Sequence, residues 1–278
     1  HVIPMPGRDT EGYMAKYPPH LSFTPEEESL GLVELRKMGI PPGSQFVCFF
    51  VRDSAYLSAT YPDGDWSHHN YRDCDIENNL DAADEMVRRG YIALRMGAVV
   101  QKPLTIRSPG VIDYASNHRT DFMDIYLSAA CRFFITSGAG IDGVPRIFRR
   151  PIVFVNRIPM GDISTSGPDD LIIPMKLWKR DEERLLTFRE ILDSGVGKFS
   201  EQAKYDRFGL EPVQNTPAEI QALAIEMDER LNGTWRPSDE DEELQQRFWS
   251  LYQPSDLNRV FLSRIGAEFL RQNRNLLD

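Results

Sequence analysis

The chain has 278 residues, 41% of them hydrophobic, which is enough to bury one large core or two modest ones and excludes intrinsic disorder as its resting state. A formal net charge of −10 excludes a broad electrostatic footprint for nucleic acid or an anionic membrane, so any phosphate site has to be local. No apolar run approaches the roughly 20 residues that span a bilayer, no signal-peptide pattern opens the chain, and Cys48, Cys74 and Cys131 lack CxxC spacing. A reducing, cytoplasmic location is therefore expected.

Residues 1–42 read as a lead-in segment rich in Pro and Gly, with one helix begun by Thr24-Pro25-Glu26-Glu27. Thr stands at the N-cap, Pro in the first turn and the acids at the positive helix end. From 43 to 200 the pattern alternates. Strands are predicted over 46–51, 91–95, 133–136 and 152–156, with helices over 76–89, 121–130 and 140–148 between them. Strands written as continuous apolar runs and joined by helices predict an α/β fold, a Rossmann-like parallel sheet with flanking helices. A further strand is expected over 171–178 and a helix over 182–192. Residues 201–278 are expected to form a helical C-terminal extension, with helices over 216–231, 237–252 and 259–276.

The run FVCFFV breaks into Arg52-Asp53, and HHNYRDCDI follows after a loop, placing Asn70, Arg72, Asp73 and Asp75 near the same strand end. Ligands of parallel sheets bind outside the carboxyl ends of the strands. An arginine there can hold a diphosphate bidentately, and a carboxylate beside it can orient the arginine or act as a base. The structural alternative is an Arg–Asp lattice that pins loops together. Arg95 ends the run YIALR in the same manner. Thr136-Ser137-Gly138-Ala139-Gly140 joins the run FFI to a short helix, and small residues there let backbone N–H groups approach a phosphate. Tight packing is the alternative, for the turn is neither a Walker loop nor a GxGxxG fingerprint. The candidate phosphate-binding residues are thus Arg52, Asn70, Arg72, Arg95, Ser137, Gly138 and Gly140. Asp53, His69 and Asp73 are candidate bases that the sequence does not rank. Asp65, His68, His69, Asp73 and Asp75 superficially resemble a metal cluster, but no HxxxH spacing supports one and no metal is expected. No GxSxG elbow and no Cys–His pairing indicates a covalent nucleophile.

The segments VRDSAYL, HHNYRDCDIENNLDAADEMVRRGYIALRMG, IDYASNHRTDFMDIYLSAACRFFITSGAG and VPRIFRRPIVFVN together resemble a family of bacterial glycosyltransferases found near surface-polysaccharide genes, over roughly residues 20–275. The resemblance implies the two-Rossmann-domain architecture called GT-B, with 43–200 matching its C-terminal, nucleotide-sugar-binding domain. It implies metal-independent transfer from a nucleotide-sugar donor to a surface-polysaccharide acceptor, with no cofactor besides the donor and with room for peripheral attachment at the inner membrane. The FITSGAG block is also similar to the donor turn of other GT-B transferases and of sugar-nucleotide epimerases. The VRD segment is distantly similar to the arginine-bearing strand end of fucosyltransferases. The carry-over extends to Arg52, Asp53, Asn70, Arg72, Asp73, Arg95, Ser137 and Gly138. A GT-B enzyme has an N-terminal acceptor domain, whereas about forty residues precede the first strand here and the chain opens on His1, so a C-terminal fragment or an acceptor side supplied by another chain is expected. Two other readings compete: a noncatalytic nucleotide-sugar-binding or assembly domain of a larger glycan-synthesis protein, and a sugar-nucleotide epimerase or hydrolase.

Overall fold

The structure, a computed structural model, describes residues 9–163, 165, 167–253 and 259–278. Its strands in chain order are β1 (Phe46–Phe50), β2 (Ile92–Arg95), β3 (Val111–Ile112), β4 (Phe134–Thr136), β5 (Ile152–Arg157), β6 (Leu171–Pro174), β7 (Lys176–Lys179), β8 (Arg184–Leu185), β9 (Leu210–Val213) and β10 (Arg264–Ile265). Seven of them form one parallel sheet in the order β10-β6-β5-β4-β1-β2-β3, and the other three form a small antiparallel sheet, β8-β7-β9. This is the Rossmann-like parallel sheet with flanking helices that the alternating runs predict.

The apolar runs read as continuous because both faces of the sheet are covered. Along β1, Val47 and Phe49 join a core with Met86 of helix Leu80–Arg88 and Leu223 of helix Pro217–Leu231. Phe46 and Cys48 point the other way, into a second core with Met123 and Leu127 of helix Asp121–Ala130. Helix Pro25–Lys37, closed at its start by the Thr24/Glu27 capping box, packs on that second layer at Gly31, where a Cβ would overlap the Tyr126 ring. Cys48, Cys74 and Cys131 are buried free thiols, and burial pushes the Cys74 thiol up to about 12.

Several elements differ from expectation. Residues 171–178 are two strands: LIIP is buried throughout and lies in the large sheet, whereas KLWK is only partly buried and belongs to the small one. Pro174 has no N–H with which to extend the ladder, and the chain changes sheet at Met175. Residues 182–192 give β8 and a helix, Phe188–Asp193, that begins at a Thr187/Glu190 capping box, a Thr-x-x-Glu signature the sequence reading passed over. The run 259–276 holds β10 and a short helix, Ala267–Gln272, because the apolar stretch before Gly266 pairs with β6. Residues 140–148 divide into a 3-10 turn, Gly140–Asp142, and helix Gly143–Ile147. β3, β9 and helix Gln202–Arg207 were not expected.

The chain adds β2 and β3 on one side of β1, then returns to place β4, β5 and β6 on the other. The reversal falls between β1 and β4, and in open α/β sheets the crevice outside the carboxyl ends at such a reversal receives the ligand.

At the opposite end of the sheet, Asp170 accepts a hydrogen bond from the Ile152 N–H at 2.9 Å. Burial pushes its carboxyl up to about 6, against the attraction of Arg146 and the Ile152 bond. The folded state thus holds this proton more tightly than the unfolded chain does. The stabilisation is complete below the ordinary value of 3.8 and is lost as pH rises through about 6. Asp170→Asn keeps an oxygen for the Ile152 N–H and removes the charge. Thermal melts between pH 4 and 8 should show the variant gaining on the wild type as pH rises; a constant difference across that range would contradict this.

Candidate functional site

The turns after β1 and β4 are joined directly across the reversal: the Arg52 backbone N–H donates to Ser137 Oγ at 2.8 Å. The Arg52 guanidinium, mostly buried, makes a close ion pair with Asp73 and donates to the His69 carbonyl at 3.3 Å. The Cys74 N–H closes the same loop by donating to the Arg52 carbonyl at 3.0 Å. These bonds fold the 3-10 turn Ser67–Arg72 back over the strand ends, where Arg72 Nη2 donates to the Gly138 carbonyl at 3.0 Å. The structure therefore brings Arg52, Arg72, Asp73, Ser137 and Gly138 together.

The 136–142 turn is closed from inside. Gly138 N–H donates to Thr136 Oγ1 at 3.0 Å, Ala139 N–H to Asp142 Oδ2 at 2.9 Å, and Thr136 Oγ1 to Asp142 Oδ1 at 2.8 Å. Burial holds the Asp142 carboxyl above its ordinary range, opposed by those two donors and by Arg157 and Arg146. Two of the backbone donors that the small residues suggested for a phosphate are thus already occupied. Gly138 itself is required for two reasons: its φ is 98°, and a Cβ there would overlap the Arg157 guanidinium. Gly140 is exposed, with open space where its Cβ would stand.

Arg157 is the residue that sequence reasoning missed. It ends β5, so IVFVNR carries the same strand-then-arginine signal that marked Arg52 and Arg95. Its guanidinium lies 5.1 Å from the centroid of the Phe154 ring, and its Nε is buried with no hydrogen-bond partner. Burial lowers its pKa; Arg72 and Arg146 push the same way, and Asp142 and Asp162 oppose them. The preceding residue, Asn156, has a left-handed φ of 52° and a buried Nδ2 without a partner, while its backbone N–H and side-chain oxygen exchange two 2.6 Å bonds with Asn215. Buried donors without acceptors, beside a second arginine, are the electrostatic condition that an anion relieves.

The remaining candidates are placed differently. Both Asp53 oxygens accept backbone N–H groups, from Ala55 at 2.9 Å and from Gln101 at 3.1 Å. Arg95 is held inside the protein by Asp113 at 3.0 Å and donates to the Lys102 carbonyl at 3.3 Å. Asn70 is exposed, and its carbonyl accepts from the Asp73 N–H. Asp73 lines a cleft of 610 Å³ outside the ends of β1 and β2, together with Asp53, Asp75, Arg95, Lys102 and Gln214. Burial raises the Asp73 carboxyl above its ordinary range, against the pull of Arg52. His69 is half-buried, its Nδ1 has no partner, and its ring lies 4.0 Å from that of His68. Burial, then His68, Arg52 and Arg72, lower its pKa from 6.5, which leaves the ring neutral at pH 7. Among the described residues no group of three or more His, Cys, Asp or Glu is placed to hold a metal ion, and no helix is long and apolar enough to cross a membrane.

No family model matches this chain, and no curated protein matches it. Solved structures similar to it include two variants of the wall teichoic acid polymerase TagF. One is 13% identical with a TM-score of 0.35, covering 76% of this chain and 50% of that one. The other is 12% identical with a TM-score of 0.32, covering 74% and 48%. The chain spans about half the length of these structures. At such values the likeness bears on neither residues nor chemistry.

Proposed function

We propose that this chain binds the diphosphate of a nucleotide-sugar at the β1–β4 reversal and carries the donor side of a glycosyltransferase that passes the sugar to a hydroxyl of a polysaccharide. The observation that carries the reading is the gathering of Arg72 and Arg157 at Gly138, beside the point where the Arg52 N–H joins two adjacent strand ends through Ser137. The family resemblance in the sequence points the same way.

In this reading the acceptor oxygen attacks the anomeric carbon, and the bond from that carbon to the diphosphate oxygen breaks. The nucleoside diphosphate leaves with the electron pair. Arg72 and Arg157 stabilise the charge that grows on it, from positions fixed before the reaction. Asp73 takes the acceptor proton, for it lines the cleft and its carboxyl is shifted upward, toward the range in which a base works near neutral pH. Arginines in place of a divalent ion make the step metal-independent.

A thermal-shift screen with UDP-, GDP- and dTDP-sugars, and a CMP-sugar as monophosphate control, tests the reading. Ligand at a hundredfold excess over Kd stabilises the native state by about 2.7 kcal/mol. A shift with one diphosphate sugar is expected, lost in Arg157→Ala and kept in Asp73→Asn, which loses transfer alone. A shift that survives Arg157→Ala, or none with any donor, would contradict it.

A further inference from the structure

The loop from Ser54 to Tyr71 leaves the site beside Arg52-Asp53 and returns at Arg72-Asp73, so what it displays stands at the rim of the proposed donor site. It displays aromatic rings. Tyr61 is 56% exposed and its ring centroid lies 5.9 Å from that of Trp66. The Trp66 ring lies 6.0 Å from His68 and 6.5 Å from His69, nearly parallel to the latter at 5°. None of these rings belongs to either hydrophobic core.

The group is nevertheless held in place. Trp66 Nε1 donates to the Tyr61 carbonyl at 3.0 Å, which spends the one polar group of the indole inside the loop. Gly64 lies so close to the indole that a Cβ would come within 2.8 Å of its ring atoms. Asp65 fixes the next turn by accepting from the Ser67 N–H at 2.9 Å. Tyr61 and His68 are exposed and Trp66 is half-buried beside them, so an aromatic surface that joins neither core and is fixed by a dedicated set of bonds is open on one side to something outside the fold.

Local charge narrows what that is. Between Asp53 and Tyr71 the chain carries Asp53, Asp63 and Asp65 and no Lys or Arg. The flanking arginines, Arg52 and Arg72, are turned to Asp73 and to the Gly138 carbonyl, so the loop's own rings have no cation beside them in the loop to hold a phosphate. A neutral sugar ring presents a C–H face to the aromatic rings and hydroxyl edges to the carboxylates. We propose that Tyr61, Trp66 and His68 form a stacking subsite for a neutral pyranose unit of the glycan acceptor. The word acceptor rests on the function proposed above; the stacking subsite does not.

Intrinsic tryptophan fluorescence tests this on the full chain, with chitohexaose and maltohexaose as neutral glycans and UMP as the competing stacker. A millimolar glycan is expected to shift the emission. Trp66→Ala should abolish the response, and Tyr61→Ala, a change at an exposed position, should weaken binding at least tenfold while leaving the melting temperature unchanged. A glycan response that survives Trp66→Ala, no response to either glycan, or a Trp66-dependent response to UMP alone would each overturn the subsite. Trp66-dependent glycan binding in a chain that shows no nucleotide-sugar shift would support the subsite and remove only the donor reading.

Discussion

Replacing Asp113 by Ala is expected to cost about 3–5 kcal/mol of stability, the usual result of leaving one member of a buried ion pair alone. The side chains of Arg95 and Asp113 are 3% and 2% exposed. Asp113 serves three donors at once: Arg95 Nη1 at 3.0 Å, the Leu104 N–H at 2.9 Å and the Ser116 N–H at 3.3 Å. Burial alone would raise the Asp113 carboxyl, but those donors outweigh it and hold the group below its ordinary range. Truncation leaves the Arg95 guanidinium with only the Lys102 carbonyl and removes the acceptor of two backbone N–H groups. Arg95→Met should cost less, because the carboxylate keeps its two backbone partners. Urea titrations should show the Asp113→Ala midpoint well below that of Arg95→Met with the slope unchanged. Equal midpoints would mean that the pair does not bear on the fold as described.

Gly138→Ala is expected to separate binding from stability. An L-residue at φ 98° is strained by about 1–3 kcal/mol, a cost the fold can absorb. The new methyl would also overlap the Arg157 guanidinium and displace it from the place where the diphosphate is proposed to sit. Nucleotide-sugar affinity should fall at least a hundredfold, on the order of 2.7 kcal/mol, while the variant still unfolds cooperatively. Gly140→Ala is the control, since nothing stands within 4 Å of the added atom and its φ is not positive. Titration calorimetry on both variants decides the matter. Retained affinity in Gly138→Ala would show that Arg157 does not hold the ligand.

Much of the fold was legible because the chemistry is local. Runs such as FVCFF and IVFVN are buried on both faces, so their apolar content alone marks strands of a covered sheet. Helix starts at Thr24 and Thr216 carry capping boxes within four residues. Elements set by distant partners were not legible: β3 is two residues long and exists through β2, and β10 through β6. The strand order is not written in any single segment.

At the site, position after a strand was the useful signal. It placed Arg52, Arg72, Ser137 and Gly138 together, and it applies equally to Arg157, which was missed by ending that strand one residue early at Asn156. The same signal says nothing about partners. Arg95 satisfies it but is matched by Asp113, eighteen positions away in sequence, just past the end of the neighbouring strand β3. Asp53 likewise has both oxygens bonded to backbone N–H groups, one of them at Gln101.

The most direct test of the central claim is a structure of this chain with the nucleotide-sugar that gives the largest thermal shift. The account predicts diphosphate oxygens within hydrogen-bond distance of Arg72 and Arg157 above Gly138, with Arg157 Nε now partnered. A nucleotide seated elsewhere, with Arg157 Nε still bonded to nothing, would contradict it.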